Sequence, residues 1–386
     1  MNYRSDLITS ILPFWLNSAI DRENGGIFTS LDKKGRIYGR DKSVWFQGRA
    51  LWTFAKAYNV IEKDPKYLEA AQRIYSFLPR CIDTDGRMFF TVTEDGRELQ
   101  KRSYYFSETF AAVGCAELYK ATGDERVRAD AEKYFDVAYE CFTGVRKNAP
   151  KINPESRAMK ALSPVMIMLN VARTMCSMND GRKDMYSRIC SECLHEILHG
   201  GYLTENALLE SVTVDGQFSD TPSGRVVNPG HSMEAAHFIL LEGMLTNNRE
   251  AIEAARHIID VTLPLGWDGV HGGLLSFTDV NGEPPIQLEW DMKLWWPQCE
   301  MMIAMRMAYE VFGDERYNEW YRKTRDYCEK HLVDHEDGEW YGYLHYDNTV
   351  SNTLKGNIFK GPFHVPRLYM MMAVMEEEGT FKAFAR

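Results

Sequence analysis

The sequence predicts an all-α protein, an (α/α)6 barrel of six helical hairpins with short β-hairpins on one rim. Three observations lead there. One pattern recurs along the chain: an unusually apolar helix ending in an aromatic, a Gly/Asp turn, then a charged amphipathic helix. It is plainest in Arg49–Tyr58 with Asp64–Tyr67, in Phe110–Tyr119 with Gly123–Arg126, and in Glu300–Tyr309 with Gly313–Tyr317; weaker copies start near Ser163, His231 and Pro366. The apolar helices begin near 49, 110, 163, 231, 300 and 366, and their charged partners cover about 3–20, 66–81, 125–141, 182–199, 248–262 and 315–332. A helix that is apolar nearly all round must be buried, whereas one with a polar stripe faces solvent. Six of each, alternating, make an inner ring inside an outer ring. An open solenoid is the alternative, but solenoid repeats of roughly 33–47 residues are shorter than these.

The remaining length falls in the connections. Gly25–Thr29, Asp85–Val92, Gly272–Phe277 and Asp337–Leu344 each place Gly before alternating aromatics, which reads as a short β-hairpin. They recur after the outer helices, so they belong on one rim. No Pro/Ser/Gly-rich linker interrupts the series, and residues 1–386 read as one domain, although length alone would suggest two or three at about 150 residues each.

Composition narrows the function. With 45 Lys+Arg against 55 Asp+Glu the net charge is −10, which argues against nucleic acid and against an anionic membrane as partners. Hydrophobic residues make up 45%, an ordinary globular value that excludes a disordered or fibrous chain. No apolar run reaches the roughly 18 residues of a membrane span, and Met1–Asp6 does not open a secretion signal. A cytoplasmic protein with eight buried free thiols is expected. Cys190 and Cys193 form a lone CxxC with no second pair to complete a zinc site, so no metal is expected.

In an alternating toroid all six inner helices run the same way, and their N-termini meet at one mouth. Each carries unpaired N–H groups and about half a positive charge, which favours an anion or a developing oxyanion. The first turns there are unusually polar. Arg49 opens the first inner helix behind Trp45; Tyr104–Glu108, including Tyr105, leads into the second. His231 opens the fourth with Glu234 three residues on; Trp295, Trp296 and Glu300 open the fifth; His364 and Arg367 open the sixth. Positions i and i+3 share a helix face, so Glu234 is expected to orient and charge His231, and Arg367 to lie over His364.

Two His on opposite walls of a cavity suit proton abstraction α to a carbonyl, because imidazole titrates near neutrality and can act as base or acid. One takes the proton from one face of the carbon and the other returns one to the opposite face. Arg49 and the helix dipoles would hold the enolate. Trp45, Trp295, Trp296 and Tyr105 would supply flat walls for a sugar ring. His195, His199, His237, His257, His331 and His335 have no polar cluster around them in sequence and read as structural; His271 lies on the rim and stays open. A glycosidase remains the competitor, with a carboxylate pair drawn from Glu108, Glu234 and Glu300, but it leaves both His without a role. A non-catalytic helical scaffold would place its polar residues along an outer face and not at the mouth.

Trp45–Arg49, Pro229–Glu234, Lys293–Glu300 and Phe359–Arg367 resemble four motifs of the N-acylglucosamine 2-epimerase family, in the family's order and across nearly the whole chain. The resemblance implies an (α/α)6 barrel and reversible epimerisation at C2 of an open-chain sugar. It assigns the acid/base pair to His231 and His364, and substrate or enolate binding to Arg49, Glu234, Glu300 and Arg367. Tyr105, Glu108 and Trp296 complete the expected site. Cellobiose 2-epimerases and related aldose–ketose isomerases resemble the chain too, but carry a further His early in the third inner helix; Met166 stands there. That favours interconversion of N-acetylglucosamine and N-acetylmannosamine over reaction of cellobiose or mannose. Pro362 stands where animal members have Cys before the Phe-His pair. The family resemblance further implies a homodimer, no consumed cofactor, and ATP as an activator, with the rim loop Asp268–Leu275 as a candidate contact.

Overall fold

The structure, a computed structural model, describes all residues except 103, 149–151, 179, 180 and 386. Fourteen α-helical segments are named among the described residues. The chain enters through α1 (Tyr3–Asp6), a π-helical turn (Leu7–Ile11) and α2 (Leu12–Ser18). Then come α3 (Val44–Val60), α4 (Pro65–Tyr75), α5 (Phe106–Thr122), α6 (Glu125–Phe142), α7 (Leu162–Cys176) and α8 (Lys183–His199). After the short α9 (Pro222–Arg225) follow α10 (Pro229–Thr246), α11 (Arg249–Gly266), α12 (Trp295–Phe312), α13 (Glu315–His331) and α14 (His364–Glu378).

The apolar helices α3, α5, α7, α10, α12 and α14 pack each on the next, and α14 packs back on α3. This closure decides for the toroid over the open solenoid. The outer helices α4, α6, α8, α11 and α13 each back the inner helix before them, and α1 backs α14, so the two chain ends share one repeat. Gly48 and Gly114 set the closest inner contact: a Cβ on Gly48 would meet the Phe110 carbonyl at 2.5 Å, and one on Gly114 the Gly48 carbonyl at 2.7 Å.

The repeated Gly-Asp-Glu-Arg has a mechanical meaning. Gly123 (φ 66°) and Gly313 (φ 63°) end α5 and α12 in the left-handed conformation that glycine adopts without Cβ strain. Asp124 and Asp314 then cap α6 and α13 by accepting from the N–H of Arg126 and Arg316. One tetrapeptide stops an inner helix and starts an outer one.

The rim strands are short and link neighbouring repeats. Lys42–Ser43, Met159–Ala161, Val226–Val227 and Lys293–Leu294 each precede an inner helix and pair antiparallel with Thr91–Val92, Ser211–Thr213, Thr278–Asp279 and Tyr343–Leu344 of the next connection. A bridge between Leu31 and Gly356 joins the first connection to the last. The opposite end of the barrel carries a 3-10 turn, Phe381–Ala385, packed on α14. All eight cysteines are buried with free thiols, and no described helix is long and apolar enough to cross a membrane.

Candidate active site

The site sits in the first two turns of α3, α10, α12 and α14. Repeats one and five are built alike. Gln47 accepts from the Ile27 N–H (2.8 Å) and donates to its carbonyl (2.9 Å); Gln298 does the same with Leu274 (2.8 and 2.8 Å). Lys42 pairs with Asp21 (2.7 Å) as Lys293 pairs with Asp268 (2.6 Å). These latches tie each hairpin to the helix beside it and fix the first turn. Two residues past each glutamine stand Arg49 and Glu300, so the same position carries opposite charges in the two repeats.

Glu300 is the hub. Its Oε1 accepts from His364 Nδ1 (2.7 Å) and Arg367 Nη2 (2.5 Å), and its Oε2 from His237 Nε2 (2.7 Å). Burial alone would raise its pKa, but Arg367 and the two imidazole donors hold it well below the usual carboxylate range. Because an ionised carboxylate only accepts, His364 must carry its proton on Nδ1, leaving the Nε2 lone pair for chemistry. Arg367 also reaches Glu234 (2.7 Å), so its guanidinium lies between the two carboxylates. Glu234, Glu300 and His364 are spaced to hold a metal ion, but Arg367 already occupies the cation's place.

His231 and His364 flank one indole. The Trp296 centroid lies 5.2 Å from the His231 ring and 5.7 Å from the His364 ring. Gly230 permits this, since a Cβ there would strike the indole at 2.6 Å. The two imidazoles have opposite surroundings. His364 is pushed down to about 4 by burial, against the attraction of Glu300 and with repulsion from Arg367 and Arg49. Burial also pushes His231 down, but Glu210, whose Oε1 lies 2.9 Å from Nδ1, outweighs it and raises the pKa, with Glu234 and Glu300 adding to the pull. The two environments push the proton affinities apart, His364 toward the base form and His231 toward the acid form.

Arg49 has no hydrogen-bond or ion-pair partner among the described residues. Its guanidinium carbon lies 4.2 Å from the Phe110 centroid, 4.8 Å from Trp45 and 4.9 Å from Phe363. Its Nε is buried without an acceptor, and burial lowers its pKa to about 10. A cation held by rings, with its donors unspent, is suited to an incoming oxyanion.

Several expectations need correction. Glu234 does not bond His231; it binds Arg367, and the partner of His231 is Glu210, which precedes the hairpin strand Ser211–Thr213. Glu108 is engaged in a latch through one oxygen: Oε1 accepts from the Met88 N–H (2.8 Å) and Arg87 Nε (2.5 Å), tying a hairpin to its helix as Gln47 and Gln298 do by other bonds, and Oε2 is buried without a partner among the described residues. Tyr105 is buried on the outer side of α5, near Cys141 of α6 and Cys193 of α8, and not at the mouth. Trp295 is buried against Tyr343 and meets His364 edge-on at 6.2 Å, whereas Trp296 is the tryptophan that meets both imidazoles. His237, read as structural, is bonded to Glu300. The loop at Asp268 repeats the Asp21 latch, its carboxylate spent on Lys293 and the Val270 N–H. Glu210 and His237 were missed for the same reason: their partners lie 21 and 63 residues away.

Comparison with known proteins adds an independent line. The sequence model of the N-acylglucosamine 2-epimerase (GlcNAc 2-epimerase) family matches residues 26–361. The N-acylglucosamine 2-epimerase of Mus musculus is 34% identical over 374 residues, covering 94% of this chain and 88% of the mouse protein. A cellobiose 2-epimerase of Bacteroides fragilis is 22% identical over 383 residues, covering 95% and 96%. The solved structure of a cellobiose 2-epimerase from Bacillus thermoamylovorans superposes with a TM-score of 0.82 at 20% identity, covering 95% of this chain and 97% of that one.

Proposed function

The chain belongs to the N-acylglucosamine 2-epimerase family, and we propose that it interconverts N-acetylglucosamine and N-acetylmannosamine by proton transfer at C2 of the open-chain sugar. One observation carries the reading: two imidazoles of opposite proton affinity flank one indole. In the proposed step the Nε2 lone pair of His364 takes the C2 proton. The C2–H electron pair moves into the C1–C2 bond, and the carbonyl π pair goes to O1 as an enolate oxyanion beside Arg49. His231, protonated and held by Glu210, then delivers its proton to the other face of C2, and the carbonyl re-forms. Atoms and charge balance without any redox partner. The enzyme ends with its protons exchanged between the two imidazoles, the form that starts the reverse reaction.

The preference for the acetylated sugar rests on the 34% identity to the mouse enzyme against 22% to the cellobiose enzyme, and on buried Met166 where the cellobiose enzymes carry His. The same family reading supports a cytoplasmic homodimer, and ATP as an activator that is not consumed.

The test is an NMR time course in D2O with N-acetylmannosamine, mannose and cellobiose, each with and without ATP. Epimer with deuterium at C2, formed from the acetylated sugar first, is the expected result. Epimer without deuterium would end the two-base scheme. A ketose accumulating from mannose would move the enzyme to the isomerase reading.

A further inference from the structure

We propose that His237 is a positioning residue of this site, a third imidazole that acts through Glu300 to fix the ring orientation and tautomer of His364. The proposal rests on the acid–base reading of His364 and adds a residue to it. His237 lies nearly two turns below His231 on α10 and is 4% exposed. It is too deep to share the mouth with His231, and its role must pass through a partner.

The geometry names that partner. Glu300 Oε1 is shared by His364 and Arg367, whereas Oε2 has one donor in the structure, His237 Nε2 at 2.7 Å. A carboxylate with both oxygens held cannot rotate, and its plane aims Oε1 at His364 Nδ1. Without the His237 donor, Oε2 would lose its one bond among the described residues, beside a cavity of about 100 Å³ on the barrel axis that His237 and Arg367 line together. Across that cavity stand Lys56 of α3, Glu117 and Lys120 of α5 and Arg173 of α7. Around Glu300 itself the charged and titratable groups are Arg49 of α3, His231, Glu234 and His237 of α10, Cys299 of α12, His364 and Arg367 of α14, and Glu339 of the last connection. Among the described residues only His237 donates to Oε2. Hydrogen-bond partners that orient metal-ligating imidazoles typically matter 10–100-fold, and an acid–base imidazole makes the same demand on ring orientation and tautomer.

The consequence has a sign. An Oε2 stripped of its donor leaves more negative charge for His364, and its proton affinity rises. The experiment uses His237→Leu, which removes the donor, and His237→Gln, whose amide nitrogen reaches the place of Nε2. Histidine-labelled 15N NMR of the free enzyme reports the tautomer and titration of His364 without any substrate. The expected result is a His364 midpoint raised by about one pH unit in His237→Leu and restored in His237→Gln. kcat should fall by about tenfold or more in the first and recover in the second, with KM within about twofold in both. Should His237→Leu not fold, His237→Asn, whose amide stops short of Glu300, is the donor-free variant. An unchanged His364 titration without the donor would overturn the proposal. So would His237→Gln behaving like His237→Leu, or a change confined to KM. Because the titration needs no sugar, a shift seen in an enzyme inactive on every sugar would overturn the substrate reading and leave this one standing.

Discussion

Glu300 accepts the Nδ1–H of His364 at 2.7 Å, and that single bond decides which nitrogen of the imidazole keeps a free lone pair. Glu300→Gln removes the charge and makes the bond ambiguous, since the amide can present N–H or C=O. It also leaves the buried Arg367 with Glu234 alone. kcat is expected to fall by about 10²-fold or more. Stability should fall by about 3 kcal/mol, because a broken buried pair leaves an uncompensated charge. Steady-state kinetics with urea unfolding checks both.

The pH dependence follows from the two imidazoles. kcat/KM should rise as His364 loses its proton near pH 4 and fall as His231 loses its own above its ordinary 6.5. Reversed protonation gives the same limbs at lower height, so both epimers should share one bell. Stability has its own window. Unfolded, His364 takes up its proton near pH 6.5, but folded only near 4, so acidification across that interval destabilises the fold. His231 does the reverse: its contribution is full below the unfolded value and is lost as pH rises through the folded one. pH–rate profiles and melting curves from pH 4 to 9 test these signs.

Glu210→Gln should move the alkaline limb alone. Without the carboxylate 2.9 Å away, burial is opposed only by the weaker pull of Glu234 and Glu300, the His231 pKa falls, and the limb shifts to lower pH. A loss of roughly 10–100-fold in kcat at pH 8 is expected, smaller at pH 6. A loss equal at both pH values would mean that Glu210 does not act on His231.

Arg49→Met separates catalysis from stability. The substitution keeps an apolar chain among Phe110, Trp45 and Phe363 but removes the unpartnered cation. kcat should drop by about 10²–10³-fold, the typical effect of losing one oxyanion donor. The melting temperature should hold or rise, because a buried donor without an acceptor is costly.

Glu108→Ala should show the opposite split. The latch on Met88 and Arg87 is lost, and breaking such a buried pair costs about 3–5 kcal/mol. The enzyme that remains folded should keep its kcat. A selective loss of kcat with unchanged stability would return Glu108 to the sugar site.

The inner helices were legible because burial all round leaves an apolar run that cannot be confused with a half-exposed one. Their starts fell within about five residues, the gap being widest at α3 and α12, where Val44–Gly48 and Trp295–Cys299 are already helical. First-turn logic named His231, Glu300, His364, Arg49 and Trp296, and the structure places them at the N-terminal ends of α3, α10, α12 and α14, since a toroid brings every inner N-terminus to one mouth. The same logic promoted Glu108 and Tyr105, which share that position but turn to a hairpin and to the outer helices.

By itself the sequence determined the alternation of buried and half-buried helices, the tetrapeptide that turns one into the other, and the set of polar residues at one end of the ring. Periodicity and capping are local, and a single strand of text records them. Only the tertiary structure decided the partnerships: Glu300 with His237 and His364, Arg367 with Glu234 across 133 residues, and His231 with Glu210. Hydrogen bonds require distances of about 3 Å, and the packing of α10 on α12 and of α12 on α14 is what brings their first turns within that reach.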